Sequence, residues 1–161
     1  MNIFDFAYDF ETESLHHYEK LSKASKNEGI KKILSMLAEE EQKHQKIILK
    51  MKSNEKTDYA DESFLKNAKD IFIDLKSNNP QIKDDIKQIE LYRKALELEK
   101  KSEKFYLDKA TEAHSPASNE IFIKLALEEN KHFLVLENII ELISRTEWWV
   151  ENAEFDHFDE Y

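Results

Sequence analysis

The sequence predicts an all-α fold: a bundle of four long helices, with a long helical crossover between the second and the third. Three observations carry this prediction. One Gly and two Pro in 161 residues leave little for tight turns, and a chain dominated by Lys, Glu, Leu, Ile and Ala favours helix. Four long segments place their apolar residues at helical spacing. Finally, the chain repeats itself: the offset that takes Glu41 onto Glu129 also takes Ala7 onto Ala95, Glu11 onto Glu99, Ser14 onto Ser102 and Tyr18 onto Tyr106. The same offset takes Ile33 onto Ile121, Leu37 onto Leu125, Ala38 onto Ala126, Glu40 onto Glu128, Lys43 onto Lys131 and His44 onto His132.

The first helix is expected from about residue 3 to 26, where Phe4, Ala7, Glu11, Ser14, Tyr18, Leu21 and Ser25 fall on one face. Lys26-Asn27-Glu28-Gly29 breaks the pattern, and Gly29 reads as a left-handed stop. The second helix, about 30 to 53, carries Leu34, Leu37, Ala38, Glu41, His44, Ile48 and Met51 along its inner stripe. So short a break between the two makes them antiparallel neighbours.

Residues 54 to 82 form the crossover. A polar stretch, Ser53-Asn54-Glu55-Lys56-Thr57-Asp58, leads to a shorter amphipathic helix with Phe64, Ala68, Ile71, Phe72 and Leu75 on its apolar side. Asp61 is a candidate N-cap, and Ser77-Asn78-Asn79-Pro80 ends the helix. A connector of this length suggests travel along the bundle and not a hairpin.

The third helix, about 83 to 113, aligns Tyr92, Ala95, Glu99, Ser102, Tyr106 and Ala110. Ser115-Pro116 then reads as an N-cap followed by proline at the first helical position. The fourth helix, about 116 to 144, has the stripe Phe122, Leu125, Ala126, Glu129, His132, Phe133, Leu136 and Ile140. The reading divides the chain into a bundle over 1–145 and an acidic, aromatic tail over 146–161. The tail holds Trp148, Trp149, Phe155 and Phe158, which would be costly in water, so it is expected to dock on the bundle or on a partner.

Composition excludes several functions. With no Cys, thiol catalysis, disulfides and thiolate metal sites are ruled out. A formal net charge of −10 argues against a nucleic-acid partner and against an anionic membrane. No apolar run approaches the roughly 18 residues of a membrane span, and Met1-Asn2-Ile3-Phe4-Asp5-Phe6 lacks the features of a signal peptide, so a cytoplasmic location is expected.

The chemistry lies in the stripes. Each apolar stripe carries a carboxylate near its middle, where Leu or Ile would be expected: Glu11, Glu41, Glu99 and Glu129. Unpaired buried carboxylates are costly, and converging ones repel. The Lys and Arg residues sit mostly on outer faces, so a metal is the better counterion. Glu and His three apart on a helix, as in Glu41/His44 and Glu129/His132, point the same way and can grip one ion. Four carboxylates balance two divalent cations, and two imidazoles complete a nitrogen/oxygen ligand set suited to iron or manganese. Within Glu39-Glu40-Glu41 only Glu41 is in register, so Glu39 and Glu40 read as solvated face. His16 and His17 fall off the stripe, His114 reads as a loop residue and His157 as structural.

At these residues the sequence resembles the ferritin-like diiron-carboxylate proteins of the rubrerythrin family, over roughly residues 3 to 144. The resemblance implies that Glu11 and Glu99 are terminal ligands, that Glu41 and Glu129 bridge two irons, and that His44 and His132 each cap one. It places Tyr18 and Tyr106 beside the site as candidate catalytic groups. It implies an oxidoreductase that reduces hydrogen peroxide or dioxygen, in a homodimer. The fullest members append a rubredoxin-like domain bound by four Cys; a chain without Cys is expected to take electrons from a separate donor protein. Many members also carry a further glutamate one turn beyond the third-helix ligand. Here that position is Ser102, with Glu97 and Glu103 the nearest substitutes.

Two other functions fit the same residues. In iron storage the site would act as a ferroxidase within a closed shell of many subunits. In a helical interaction module without catalytic metal, the aromatic tail would be the working part.

Overall fold

The computed structural model describes residues 2–57, 63–78 and 82–144. The expected tail, with Trp148, Trp149 and His157, lies outside the described residues, as do the candidate cap Asp61 and Pro80. The described helices are α1 (Ile3–Ala24), α2 (Glu28–Lys52), α3 (Ser63–Asn78), α4 (Ile89–Glu112) and α5 (Pro116–Ser144), with a short 3-10 helix over Lys83–Gln88 before α4. There is no strand among the described residues. The fold is a ferritin-like helical bundle.

Helix α1 packs chiefly on α2, and α4 on α5, so each half of the repeat forms a helical hairpin. The hairpins meet through α1 against α4 and α2 against α5, while α3 crosses over α2 and α5. The expected stripes are the buried faces. Ala7, Glu11, Ser14, Tyr18 and Leu21 are buried on α1, and Tyr92, Ala95, Glu99, Ser102, Tyr106 and Ala110 on α4. On α3, Phe64, Ala68, Phe72 and Leu75 are buried as expected.

Gly29 is not a helix stop. It adopts no positive φ and lies within the first turn of α2. The break falls earlier: α1 ends at Ala24 with Ser25 extended, and the Asn27 side chain caps α2 by accepting from the Ile30 N–H at 3.0 Å. A short polar side chain that satisfies an exposed first-turn donor fixes the start of α2. Gly29 serves packing instead, since a Cβ there would stand 2.8 Å from Leu75 Cδ2 of α3. The left-handed residue is Asn54, at φ 56°, just past the end of α2. Likewise, the third long helix begins as a 3-10 turn over Lys83–Gln88 and becomes α-helical only at Ile89. At the start of α5, Ser115 Oγ accepts from the Ser118 N–H at 3.1 Å, as the Ser-Pro pair predicts.

The apolar core is split in two. A larger cluster joins Tyr18, Leu21, Leu34, Leu37, Phe72, Tyr92 and Leu136 with the α3 residues. A smaller one gathers Ala7, Ile48, Tyr106, Phe122 and Leu125 at the opposite end of the long helices. A layer of buried polar side chains lies between them along the helices, contributed by all four long helices.

Candidate metal centre

Glu11 comes from α1, Glu41 and His44 from α2, Glu99 from α4, and Glu129 and His132 from α5. All six are at most 1% exposed. Burial of this many ionisable groups follows directly from their register in the apolar stripes: the same 3.6-residue period that buries Leu37 and Ile48 buries Glu41 and His44 between them.

Each histidine crosses to the other half of the repeat. His44 Nδ1 lies 2.8 Å from Glu129 Oε1 and 3.4 Å from Glu11 Oε2. His132 Nδ1 lies 2.9 Å from Glu41 Oε1 and 3.6 Å from Glu99 Oε1. The two imidazoles are nearly parallel, with centroids 5.5 Å apart and planes at 9°. The tyrosines cross over as well. Tyr106 of α4 donates its hydroxyl to Glu11 Oε1 of α1 at 2.5 Å, and Tyr18 of α1 donates to Glu99 Oε1 of α4. Thus each tyrosine, seven residues after the glutamate of its own helix, bonds to the glutamate of the other hairpin.

Ligand atoms fall into two overlapping groups, each within 4.8 Å: Glu11, Glu41, His44 and Glu129, and Glu41, Glu99, Glu129 and His132. Glu41 and Glu129 belong to both. All six residues that the sequence singled out are therefore brought together, with both tyrosines bonded to them.

The electrostatics are strained without a counterion. Burial works to raise the pKa of Glu11, but the His44 charge and the adjacent Glu41, His44 and Tyr106 side chains outweigh it and hold the carboxyl at about 2. Burial is opposed in the same way at Glu99, where the adjacent Glu129, His132 and Tyr18 side chains and the His132 charge pull the pKa down. Glu41 and Glu129 go the other way. Burial, then repulsion from Glu11 and the neighbouring carboxylates, pushes both well above the usual carboxylate range. Burial and the adjacent carboxylates raise both tyrosine hydroxyls as well, so they remain donors.

Four carboxylate oxygens, Glu11 Oε2, Glu41 Oε2, Glu99 Oε2 and Glu129 Oε2, are buried with no hydrogen-bond partner. Each such orphan costs about 1–3 kcal/mol or more for a charged group. A pair of cations among these oxygens and the two Nδ1 atoms would satisfy them, and the all-oxygen-and-nitrogen donor set is of the kind that binds iron or manganese. The residues present fit a metal centre.

Other expectations sort themselves around this cluster. Glu97 is exposed, and Glu103 accepts from Asn130 Nδ2 at 2.7 Å and pairs with Lys100 at 3.3 Å. Neither is in the metal-ligating groups, so neither replaces the glutamate that Ser102 lacks. Ser102 and its repeat mate Ser14 are both buried beside the site. His16 and His114 are exposed and His17 half-buried.

Glu40 corrects the sequence reading. It is not solvated face but 3% exposed, and its repeat mate Glu128 is 6% exposed. Each folds against its own lysine, Glu40 with Lys43 at 2.9 Å and Glu128 with Lys131 at 3.0 Å. The signal was in the repeat, which duplicates both the glutamate and the lysine. Helical phase alone assigns the position to the outer face, whereas in the bundle Glu40 and Glu128 come together with His132 and are buried.

A sequence model of the rubrerythrin family matches residues 2–140. No curated protein and no solved structure matches the chain.

Proposed function

The chain belongs to the rubrerythrin family, and from that premise we propose that it is a diiron oxidoreductase that reduces hydrogen peroxide or dioxygen with electrons from a separate donor protein. The observation that supports it most is the sharing of Glu41 and Glu129 between two buried ligand groups, one closed by Glu11 and His44 and the other by Glu99 and His132. Shared carboxylates between two half-sites are what a bridged metal pair requires. In this reading Glu41 and Glu129 would be the shared carboxylates of the pair, Glu11 and Glu99 its terminal ligands, and His44 and His132 would each hold one ion.

A bound iron pair would supply two reducing electrons, which with two protons balance the conversion of one peroxide to two waters. The protein residues do the rest. Tyr18 and Tyr106 hold the unshared terminal carboxylates by their hydroxyls, which keeps Glu99 and Glu11 aimed and leaves a proton at each phenol oxygen beside the site. The two apolar clusters on either side exclude water from the polar layer. The chain acts in this proposal as a cytoplasmic homodimer, with manganese or a mixed pair as the alternative metal content. Anaerobically reduced, iron-loaded protein mixed with peroxide tests the activity. The proposal expects reoxidation far faster than that of free Fe(II), and equal rates would overturn it.

A further inference from the structure

His132 uses one face of its ring for the candidate metal centre. Its Nδ1 is directed to Glu41 and Glu99, at 2.9 and 3.6 Å. Its Nε2 is fully buried and has no hydrogen-bond partner. A ring nitrogen of His132 and one carboxylate oxygen from each of Glu40 and Glu128 lie within 4.8 Å of one another. Among the described residues, His132 alone of the two repeat-related histidines is grouped with that carboxylate pair. The Phe64 ring of α3 stands edge-on against the imidazole, centroids 5.2 Å apart, and limits how far the ring can turn.

Two buried carboxylates beside an orphaned imidazole nitrogen need an explanation. Lys43 and Lys131 balance their charges from their own helices, so a further cation is not required for neutrality. An N–H is. A histidine that ligates a metal through one nitrogen almost always donates the other N–H to a carboxylate, carbonyl or water, which fixes its tautomer and orientation.

We infer that Glu40 and Glu128 are positioning residues for His132: with metal bound, together they take up its Nε2–H, which is unpartnered in the metal-free chain, and thereby present Nδ1, unprotonated, to the metal. This rests on the diiron reading above. It backs the His132 half-site with a carboxylate pair from α2 and α5 that couples the two hairpins.

The test uses the full chain, loaded anaerobically with Fe(II) and titrated with a competing chelator, as wild type, Glu40→Gln, Glu128→Gln and the double variant. Nitrogen-15 NMR of the histidines in the Zn(II)-loaded protein is the second measurement. The inference expects wild-type His132 to carry its proton on Nε2, and the double variant to lose about ten- to a hundredfold in affinity for the ion that His132 holds. The single variants should fall between, which guards against a double variant that fails to fold. Unchanged affinity for both ions in all variants, or a wild-type His132 bare at Nε2, would overturn the inference while leaving the metal centre in place. So would a third ion per chain lost in the double variant, which would make the pair a cation site. Wild-type protein that binds no metal would overturn the diiron reading itself.

Discussion

His44 and Glu129 come from opposite halves of the repeat, yet the imidazole Nδ1 stands 2.8 Å from the carboxylate Oε1. The repeat-related pair, His132 and Glu41, closes the same contact in reverse at 2.9 Å. Two hairpins that each carry Glu-x-x-His thus complete each other, and the centre exists only when both have docked. The tyrosine contacts obey the same rule, Tyr106 reaching Glu11 and Tyr18 reaching Glu99.

That exchange makes the tyrosines stabilising as well as positioning. Replacing Tyr106 by Phe removes one donor to a buried carboxylate and leaves Glu11 Oε1 without it. The metal-free chain is expected to lose about 1–3 kcal/mol in urea unfolding for Tyr106→Phe, and a similar amount for Tyr18→Phe. A loss below about 0.5 kcal/mol in both would mean that the hydroxyls contribute nothing net.

The bridging-position carboxylates should weaken the metal-free fold as pH rises. The folded pKa of Glu41 and of Glu129 is raised by burial and by neighbouring charge. Such a group contributes stability fully below its unfolded value of about 4.3, and that contribution is lost as pH climbs toward the folded value. Glu11, held at about 2, contributes in the opposite sense, and its part is lost only in acid. Glu41→Gln and Glu129→Gln are therefore expected to melt higher than wild type near neutral pH without metal, with the gap closing toward about pH 4. A variant that melts lower than wild type at neutral pH would contradict this.

The same shifts require proton release on metal binding. Glu41 and Glu129 hold protons that cations must displace, so metal affinity should rise with pH below their folded pKa values. Titration calorimetry in buffers of different ionisation enthalpy checks this. The observed heat should vary with the buffer in wild type and less in Glu41→Gln. A buffer-independent heat in wild type would show that the carboxylates are already ionised.

Much of this was legible in the sequence, and the failures share a cause. The six candidate ligands could be read because the repeat and the helical period act on the same residues, so Glu41 and Glu129 fell inside apolar stripes on both counts. The crossing of Tyr18 to Glu99 could not be read, since spacing along α1 places Tyr18 near Glu11 and only the docking of α1 on α4 assigns its partner. Glu40 is misread because the period along α2 alone does not show that Glu128 and His132 of α5 come to lie beside it. Gly29 was misread for the same reason. Its lack of a side chain answers to Leu75, far along the chain, and not to a left-handed turn.

Gly29 supplies a test of that reading. Helix propensity alone makes Gly29→Ala stabilising by about 0.5–1 kcal/mol. The new Cβ would meet Leu75 Cδ2 at 2.8 Å and the capping Asn27 Oδ1 at 3.2 Å, and overpacking of this kind costs about 1–3 kcal/mol. The second effect is the larger, so the variant is expected to be less stable than wild type in denaturant unfolding. A gain in stability would show that Leu75 moves aside freely.

The most direct measurement is iron per chain after anaerobic Fe(II) loading and desalting, in wild type and in Glu41→Ala/Glu129→Ala. The shared membership of Glu41 and Glu129 in both ligand groups predicts roughly two irons per wild-type chain, as a bridged dimetal bundle requires, and near zero in the double variant. Wild-type protein that keeps no iron and no manganese, or a double variant that keeps as much metal as wild type, would contradict the account.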